Sequence, residues 1–229
     1  KIISVISGIS LILCWKKSAC QGALPAVSHD TLHLNYTVAP AEEWNALFNR
    51  SSGWFGGDGI FSIPVNGVDS AGGADSTLLV FSDTMTGNIR DGKLQPGFSM
   101  IHNSVAILKG NDPVEKNIRF YWNTGSDNKP AALFEPRTPR AAPGDYYWLG
   151  DGFVDKARGG NTYIFAYRIR NISNKDFGFA EVGNALIILP AGSRPPYKLQ
   201  RQVDTPLSLS AGSDGGSGSF GAGVFVNTK

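Results

Sequence analysis

From residue 58 onward the chain keeps to one pattern, apolar runs of six to nine residues closed by clusters of Gly, Asp, Asn and Pro. Runs of that length between turn-forming residues read as β-strands. They are expected at about 58–65, 77–83, 102–109, 118–123, 131–134, 149–155, 162–169, 184–189, 198–203 and 220–226. "ALIILP" and "SVAILK" do not alternate and suit strands buried on both faces, whereas "TYIFAYRIR" alternates like a strand with one wetter side. One helix is expected, in "PAEEWNALFNRSSG". Pro40 precedes its first turn, Glu42 and Glu43 sit near its N-terminus, Trp44, Leu47 and Phe48 form an apolar stripe, and Gly53 stops it. The pattern as a whole predicts one large all-β domain with a short amphipathic helix packed on a sheet.

A repeat sharpens that expectation. "WFGGDGIF" (Trp54 to Phe61) returns as "WLGDGFVD" (Trp148 to Asp155), so that an aspartate set among glycines follows an aromatic residue twice, 93 residues apart. With the run at His102, openings near Asp58, His102 and Asp151 are spaced 44 and 49 residues, a propeller-like period. A two-sheet sandwich also gives many short strands, but it does not require polar residues to recur at the same point of each group. If each group opens on the innermost strand of a blade, Asp58, His102, Asn103 and Asp151 converge on one rim. The next strand is antiparallel and ends there too, which brings Asp83 beside Asp58, Trp122 beside His102, and Arg168 and Arg170 near Asp151. The glycines leave the carboxylates open to a ligand, and Trp54, Tyr147 and Trp148 add flat apolar faces, a combination suited to sugars.

The stretches "WFGGDGIFSIPV", "TLLVFSDTMTG", "MIHNSVAIL", "FYW" and "YYWLGDGFVD" resemble blade motifs of secreted bacterial domains related to the five-bladed propeller glycoside hydrolases. In those domains a Gly-x-Asp-Gly motif is followed by Phe-Gly/Ser-Asp-Thr. The broader group includes arabinan-degrading enzymes and, more distantly, xylosidase and fructosidase propellers. The resemblance runs from about Trp54 to Phe225 and implies a five-bladed β-propeller. At about 45 residues per blade, residues 54–229 make roughly three and a half blades, so an incomplete N-terminal fragment is expected. The strand "TLHLNYTV" (Thr31 to Val38) would close the ring of a complete chain. The chain departs from its relatives in having no glutamate on a clear inner strand to match their general acid. Glu181, in an expected loop, is a reserve candidate.

Glycoside hydrolysis generally needs one carboxylic acid to protonate the leaving oxygen and one carboxylate as base or nucleophile, about 5 to 9.5 Å apart. Asp58 is the expected base or nucleophile. Asp83 is the expected donor, or the neighbour that keeps a second acid protonated. Asp151 is the other candidate for donor or pKa tuner, by resemblance to the third-blade aspartate of arabinanase-like propellers. His102 and Asn103 would bind substrate hydroxyls, and Trp122 and Trp148 would stack on sugar. The alternative is a non-catalytic carbohydrate-binding or adhesion propeller. Simpler structural roles compete at each position. An Asp between glycines serves as a turn residue, a histidine is satisfied by a backbone carbonyl, tryptophans pack between blades, and pairing of Asp151 with Arg168 and Arg170 would disqualify it as a donor.

The remaining features bound the setting. The 21 basic and 19 acidic residues are spread along the chain without a Lys/Arg run, which argues against nucleic acid. Both cysteines, Cys14 and Cys20, fall in the first twenty residues, so the body of the chain has no disulfide framework. Residues 2–15 form an apolar run suited to a signal-peptide core and too short to span a bilayer comfortably. The expected organisation is a signal peptide or lipoprotein leader at 1–22, a strand and short helix at 23–53 and the propeller domain at 54–229, in a secreted, periplasmic or cell-surface protein. No nucleophile elbow, metal-spaced His pair or phosphate loop occurs. A monomer acting on carbohydrate is expected, with no cofactor beyond a weak structural calcium at "VDSAGGADST" (Val68 to Thr77).

Overall fold

The computed structural model describes residues 36–70, 72–73, 75–210 and 217–226. The apolar leader and most of "TLHLNYTV" lie outside these residues, and Tyr36 to Val38 form no strand. Among the described residues no helix is long and apolar enough to cross a membrane. Helix α1 spans Glu42–Phe48. The first run of strands is β1 (Ser52–Gly57), β2 (Phe61–Pro64), β3 (Ser76–Phe81), β4 (Thr84–Arg90), β5 (Lys93–Leu94), β6 (Ser99–Ile101), β7 (Ser104–Lys109) and β8 (Ile118–Tyr121). There follow β9 (Asn123–Thr124), β10 (Pro130–Ala131), β11 (Tyr146–Asp155), β12 (Asn161–Asn171), β13 (Phe179–Leu189), β14 (Arg201–Thr205), β15 (Ser208–Ser210) and β16 (Ser217–Ser219).

Two four-stranded antiparallel sheets carry the fold. The first is ordered β2-β3-β7-β8, with β4 to β6 leaving it between β3 and β7 to form a third four-stranded sheet with β1, and the second, β11-β12-β13-β14, is a meander of successive neighbours. Side-chain alternation assigns their faces. Leu78, Val80 and Val105 point into a core shared with Tyr147, Leu149, Ile164 and Ile187 of the second sheet. Their neighbours Leu79, Phe81, Ala106 and Leu108 point the other way, into a smaller core with Trp54, Ile118 and the α1 residue Leu47. Burying both faces is what the uninterrupted run "SVAILK" requires. Phe81 is fully buried, and truncating it to alanine is worth about 3–5 kcal/mol. Of the expected helix stripe, Leu47 is buried while Trp44 remains exposed.

The pairing corrects the expected repeat. β3 pairs with β7 from Ser76↔Lys109 to Phe81↔Ser104, so the run opened by His102 is the third strand of the first sheet and starts no new group. First and third strands of an antiparallel sheet run in the same direction, which is why Asp58 and His102 both stand at a strand start on the same rim. The true period is the 93-residue spacing, since Asp58 precedes the first strand of one sheet and Asp151 lies in the first strand of the other. Both copies mark an irregular register, between Trp54 and Gly56 on β1 and between Leu149 and Gly152 on β11. An added residue in one strand bends it and re-aims its side chains.

Further departures are local. β1 and β4, unexpected from their Gly, Thr and Asn content, pair with each other and carry the buried Thr84 and Thr86. Glu181 lies on β13, not in a loop. Residues 220–226, expected as a strand, are irregular.

Candidate active site

Three long strands of the first half are each broken at the same level, β1 to β2 at residues 58–60, β3 to β4 at 82–83, and β6 to β7 at 102–103. Asp58, Asp83 and His102 occupy the breaks. The Asp58 N–H donates to the Asp83 carbonyl (3.1 Å) and the Ser82 N–H to the Asp58 carbonyl (2.9 Å), so the backbone remains paired through the bend. Gly59 turns the chain here with φ +57°, and a Cβ at this position would stand 2.7 Å from Ser82 Oγ. Only glycine meets both conditions without strain.

Ser82 also fastens the two sheets together. Its buried hydroxyl accepts from the Leu149 N–H (3.0 Å) and donates to the Leu149 carbonyl (3.2 Å). The next residue on each side is thereby brought into contact, and the Trp148 indole N–H donates to Asp83 Oδ1 at 3.0 Å. The same oxygen lies 3.3 Å from His102 Nδ1. The His102 imidazole stacks on Tyr146, with centroids 3.7 Å apart and planes 15° off parallel. Trp148 is flanked edge-on by Tyr146 and Phe179. The His102 and Asp83 side chains keep 40% and 27% of their surface exposed, enough to meet a ligand.

Asp58 has the perturbed carboxyl of the group. Partial withdrawal from water and then the charge of Asp83 raise its pKa above the ordinary carboxylate value, against opposing backbone hydrogen bonds from Asp83 and Asp58. Burial and the charge of Asp83 likewise raise the Tyr146 phenol. A cleft of about 530 Å³ runs alongside, with Met100, His102, Glu135, Asp145 and Tyr146 in its walls. Its ionisable side chains other than histidine are acids.

Asp58, Asp83, His102 and Trp148 are therefore brought to one place, whereas four other expected contacts are not made. Asp151 accepts from the Gly152 N–H through Oδ1 and from the Val224 N–H through Oδ2, each at 2.8 Å, and its own N–H donates to the Gly221 carbonyl (2.7 Å). None of these bonds reaches Asp58 or Asp83. Asn103 is fully buried, its amide donates to the Phe134 and Tyr147 carbonyls, and its oxygen accepts from the Phe134 N–H. That corrects its expected role, because no part of it meets solvent or substrate. Trp122 reaches the rim but packs with Phe48 and Phe120 against the smaller core, on the opposite face from its neighbour Tyr121. It packs on that core while keeping part of its surface exposed.

The arginines are also corrected. Arg168 is 3% exposed and bonds Asp204 at 2.6 Å and Thr138 at 3.0 Å, while Arg170 clasps Asp145 with bonds of 2.6 and 2.9 Å. The register explains this, since Arg168 faces Tyr147 across β11 and stands several residues from the level of Asp151. The hydrogen bond from Arg170 holds Asp145 below the ordinary carboxylate value. For Asp204, burial pushes upward, but the bonds from Arg168 and Thr138 prevail and the group is held low.

Glu181 takes the Ser219 hydroxyl and remains apart from the acid pair's hydrogen bonds. Among the described residues no group of three or more His, Cys, Asp or Glu side chains is arranged to hold a metal. At the stretch expected to bind calcium, Asn66 bridges the turn, its amide donating to the Gly73 carbonyl and its oxygen accepting from the Val68 N–H. Sequence reading overlooked Ser82 and Tyr146. Ser82 stood in view inside "FSDT", and Tyr146 inside the aromatic run "YYW".

Among solved structures, the chain is similar to one from Bacteroides ovatus ATCC 8483, described as a "putative hydrolase", at 20% identity with a TM-score of 0.50. The match covers 67% of this chain and 39% of that one, so the chain spans about two fifths of its neighbour's length and shares its fold over that part. No curated protein sequence matches. A family model described as a domain of unknown function, DUF5005, matches residues 41–228, and the chain belongs to that family.

Proposed function

We propose that the chain carries the carboxyl pair of a secreted glycoside hydrolase, with the two sheets as successive blades of a five-bladed propeller acting on oligo- or polysaccharide. The observation that carries this reading is the adjacency of Asp58 and Asp83 at one strand break, where the Asp58 N–H bonds the Asp83 carbonyl at 3.1 Å, and burial and then the charge of Asp83 raise the Asp58 pKa. In this scheme Asp58 keeps its proton to higher pH and delivers it to the leaving glycosidic oxygen. Asp83, with Oδ1 engaged by Trp148 and His102, presents Oδ2 as base or nucleophile. These roles are the reverse of those expected from sequence, because the raised group suits the donor. His102 and Trp148 fix Asp83 and border the substrate, with Tyr146 supporting the imidazole.

Asp151, with both oxygens engaged by backbone N–H groups, holds the rim in place. Export rests on the apolar run of residues 2–15. The shared fold with a protein described as a hydrolase is in keeping with the reading.

A binding module is the second reading, favoured by the aromatic surround of Asp83. The chain incubated with a panel of plant and bacterial polysaccharides is expected to release reducing sugar, and Asp58→Asn is expected to stop release while retaining polysaccharide binding. Binding without release by the unaltered chain would establish the module instead.

A further inference from the structure

A second cleft, of about 540 Å³, opens between the two sheets at the end of the first sheet opposite Asp58 and Asp83. Its walls come from both sheets, at Val65, Ser76 and Lys109 on one side and Thr162 and Leu189 on the other. Lys109, Arg119 and Arg194 all line it, and no acidic side chain does. All three cations are exposed, and none forms an ion pair or side-chain hydrogen bond among the described residues. Unpaired exposed cations occur elsewhere on the chain as well, and what sets these three apart is that they line one cavity that no acidic side chain shares. Three positive charges around one cavity, with no acid in its walls, favour an anion there over a cation.

The loop that presents Arg194 is held in place. Tyr197 donates its N–H to the Arg194 carbonyl (2.9 Å), stacks on Phe134, and is 4% exposed. Its φ of +53° lies in the left-handed region, which a tyrosine keeps only where its surroundings over-determine it. Burial and then the nearby Tyr121 push its phenol well above the ordinary value. Tyr197 and Tyr121 line the same cavity as the cations. A cavity of a few hundred cubic ångströms, part apolar and part polar, suits a ring-sized ligand.

We propose that this cleft binds a carboxylate-bearing saccharide, with Arg119, Arg194 and Lys109 taking the carboxylate and the two tyrosines the ring hydroxyls. The preference for an anion stands on the cleft alone, and the choice of a saccharide rests on the hydrolase reading of the acidic site. Guanidinium groups match a carboxylate with paired N–H donors.

Calorimetric titration of the chain with trigalacturonate tests the proposal. One site is expected, weakened about tenfold by Arg119→Gln and again by Arg194→Gln, weakened by raising salt, and unchanged by Asp58→Asn. Both arginines are exposed, and thermal melts of the variants check that they fold. A failure to bind, binding indifferent to both arginine variants, or loss of binding in Asp58→Asn would overturn it. Inorganic phosphate binding as tightly as trigalacturonate would overturn the saccharide assignment. If trigalacturonate binds here and no polysaccharide is cleaved, this proposal stands and the hydrolase reading fails.

Discussion

Asp58 and Asp151 open matching strands, share glycine neighbours and an upstream tryptophan, and sit beside a shift of register, yet their surroundings have diverged. Asp58 stands exposed beside a second acid with its carboxyl raised, whereas both oxygens of Asp151 are bound by backbone N–H groups. The tryptophans part company as well. Trp54 is 3% exposed and stacks on Phe120 at 4.4 Å, while Trp148 is half-buried and bonds Asp83. One glycine accounts for much of this. "WFGGD" separates Trp from Asp by four positions and "WLGD" by three, and a shift of one residue along a strand exchanges the face a side chain takes. Two near-identical motifs thus yield one candidate proton donor and one structural clasp.

That contrast is open to test, and the largest effect is expected in catalysis. Asp58→Asn should lower reducing-sugar release about 10²–10⁴-fold, the range for loss of a positioned acid. Asp151→Asn should change it less than about tenfold, as measured by initial rates on the most active polysaccharide. Comparable losses in both variants would make the two copies functional equals.

Stability should show the opposite order. Asp151→Ala leaves the Gly152 and Val224 N–H groups without their acceptor and is expected to cost about 1–3 kcal/mol in urea unfolding. Asp58→Ala removes a carboxyl whose backbone hydrogen bonds are outweighed by its burial and the charge of Asp83, and should fall within about 0.5 kcal/mol. Hydrogen exchange at the Val224 amide should quicken in the first variant only.

A smaller cost, on the order of 1–2 kcal/mol, is expected for Gly59→Ala from its left-handed backbone, with a further contribution from the approach to Ser82. Thermal melts would measure it.

The finest distinction is in pH dependence. A proton donor must be protonated, so activity should fall as pH rises through the raised pKa of Asp58. Asp83→Asn removes the charge that helps raise it, and the alkaline limb of any residual activity should move to lower pH. Binding of the polysaccharide serves as the control. Stability runs the other way for Asp145 and Asp204. Their lowered values contribute stability that is complete above the ordinary carboxylate range and is lost as pH falls through the folded pKa values.

Much of the β-architecture was legible because apolar runs such as "SVAILK" and "TYIFAYRIR" leave little choice but a strand. β4 was not, since "TMTGNIR" buries threonines, whose hydroxyls find partners only after folding. Thr84 bonds the Ser82 carbonyl and the Ser104 hydroxyl. The meeting of Asp58, Asp83 and His102 was readable because strand direction alone brings them to one rim. Which face each neighbour takes was not, because it depends on bulges and register, and so Asn103 reached the correct rim but entered the interior, while Trp122 turned toward the smaller core. The partners of Arg168 and Arg170 were hidden for the same reason, since Asp204 comes from a strand that the sequence places far away.

The two hydrogen bonds between the Ser82 hydroxyl and the Leu149 backbone have a bearing on how the rim can move. Any movement that separates the two layers has to sever both links at once and pulls Trp148 away from Asp83 in doing so. The carboxyl group of Asp83 is therefore presented on a surface shaped in advance, and any ligand has to come to it from outside the seam between the layers.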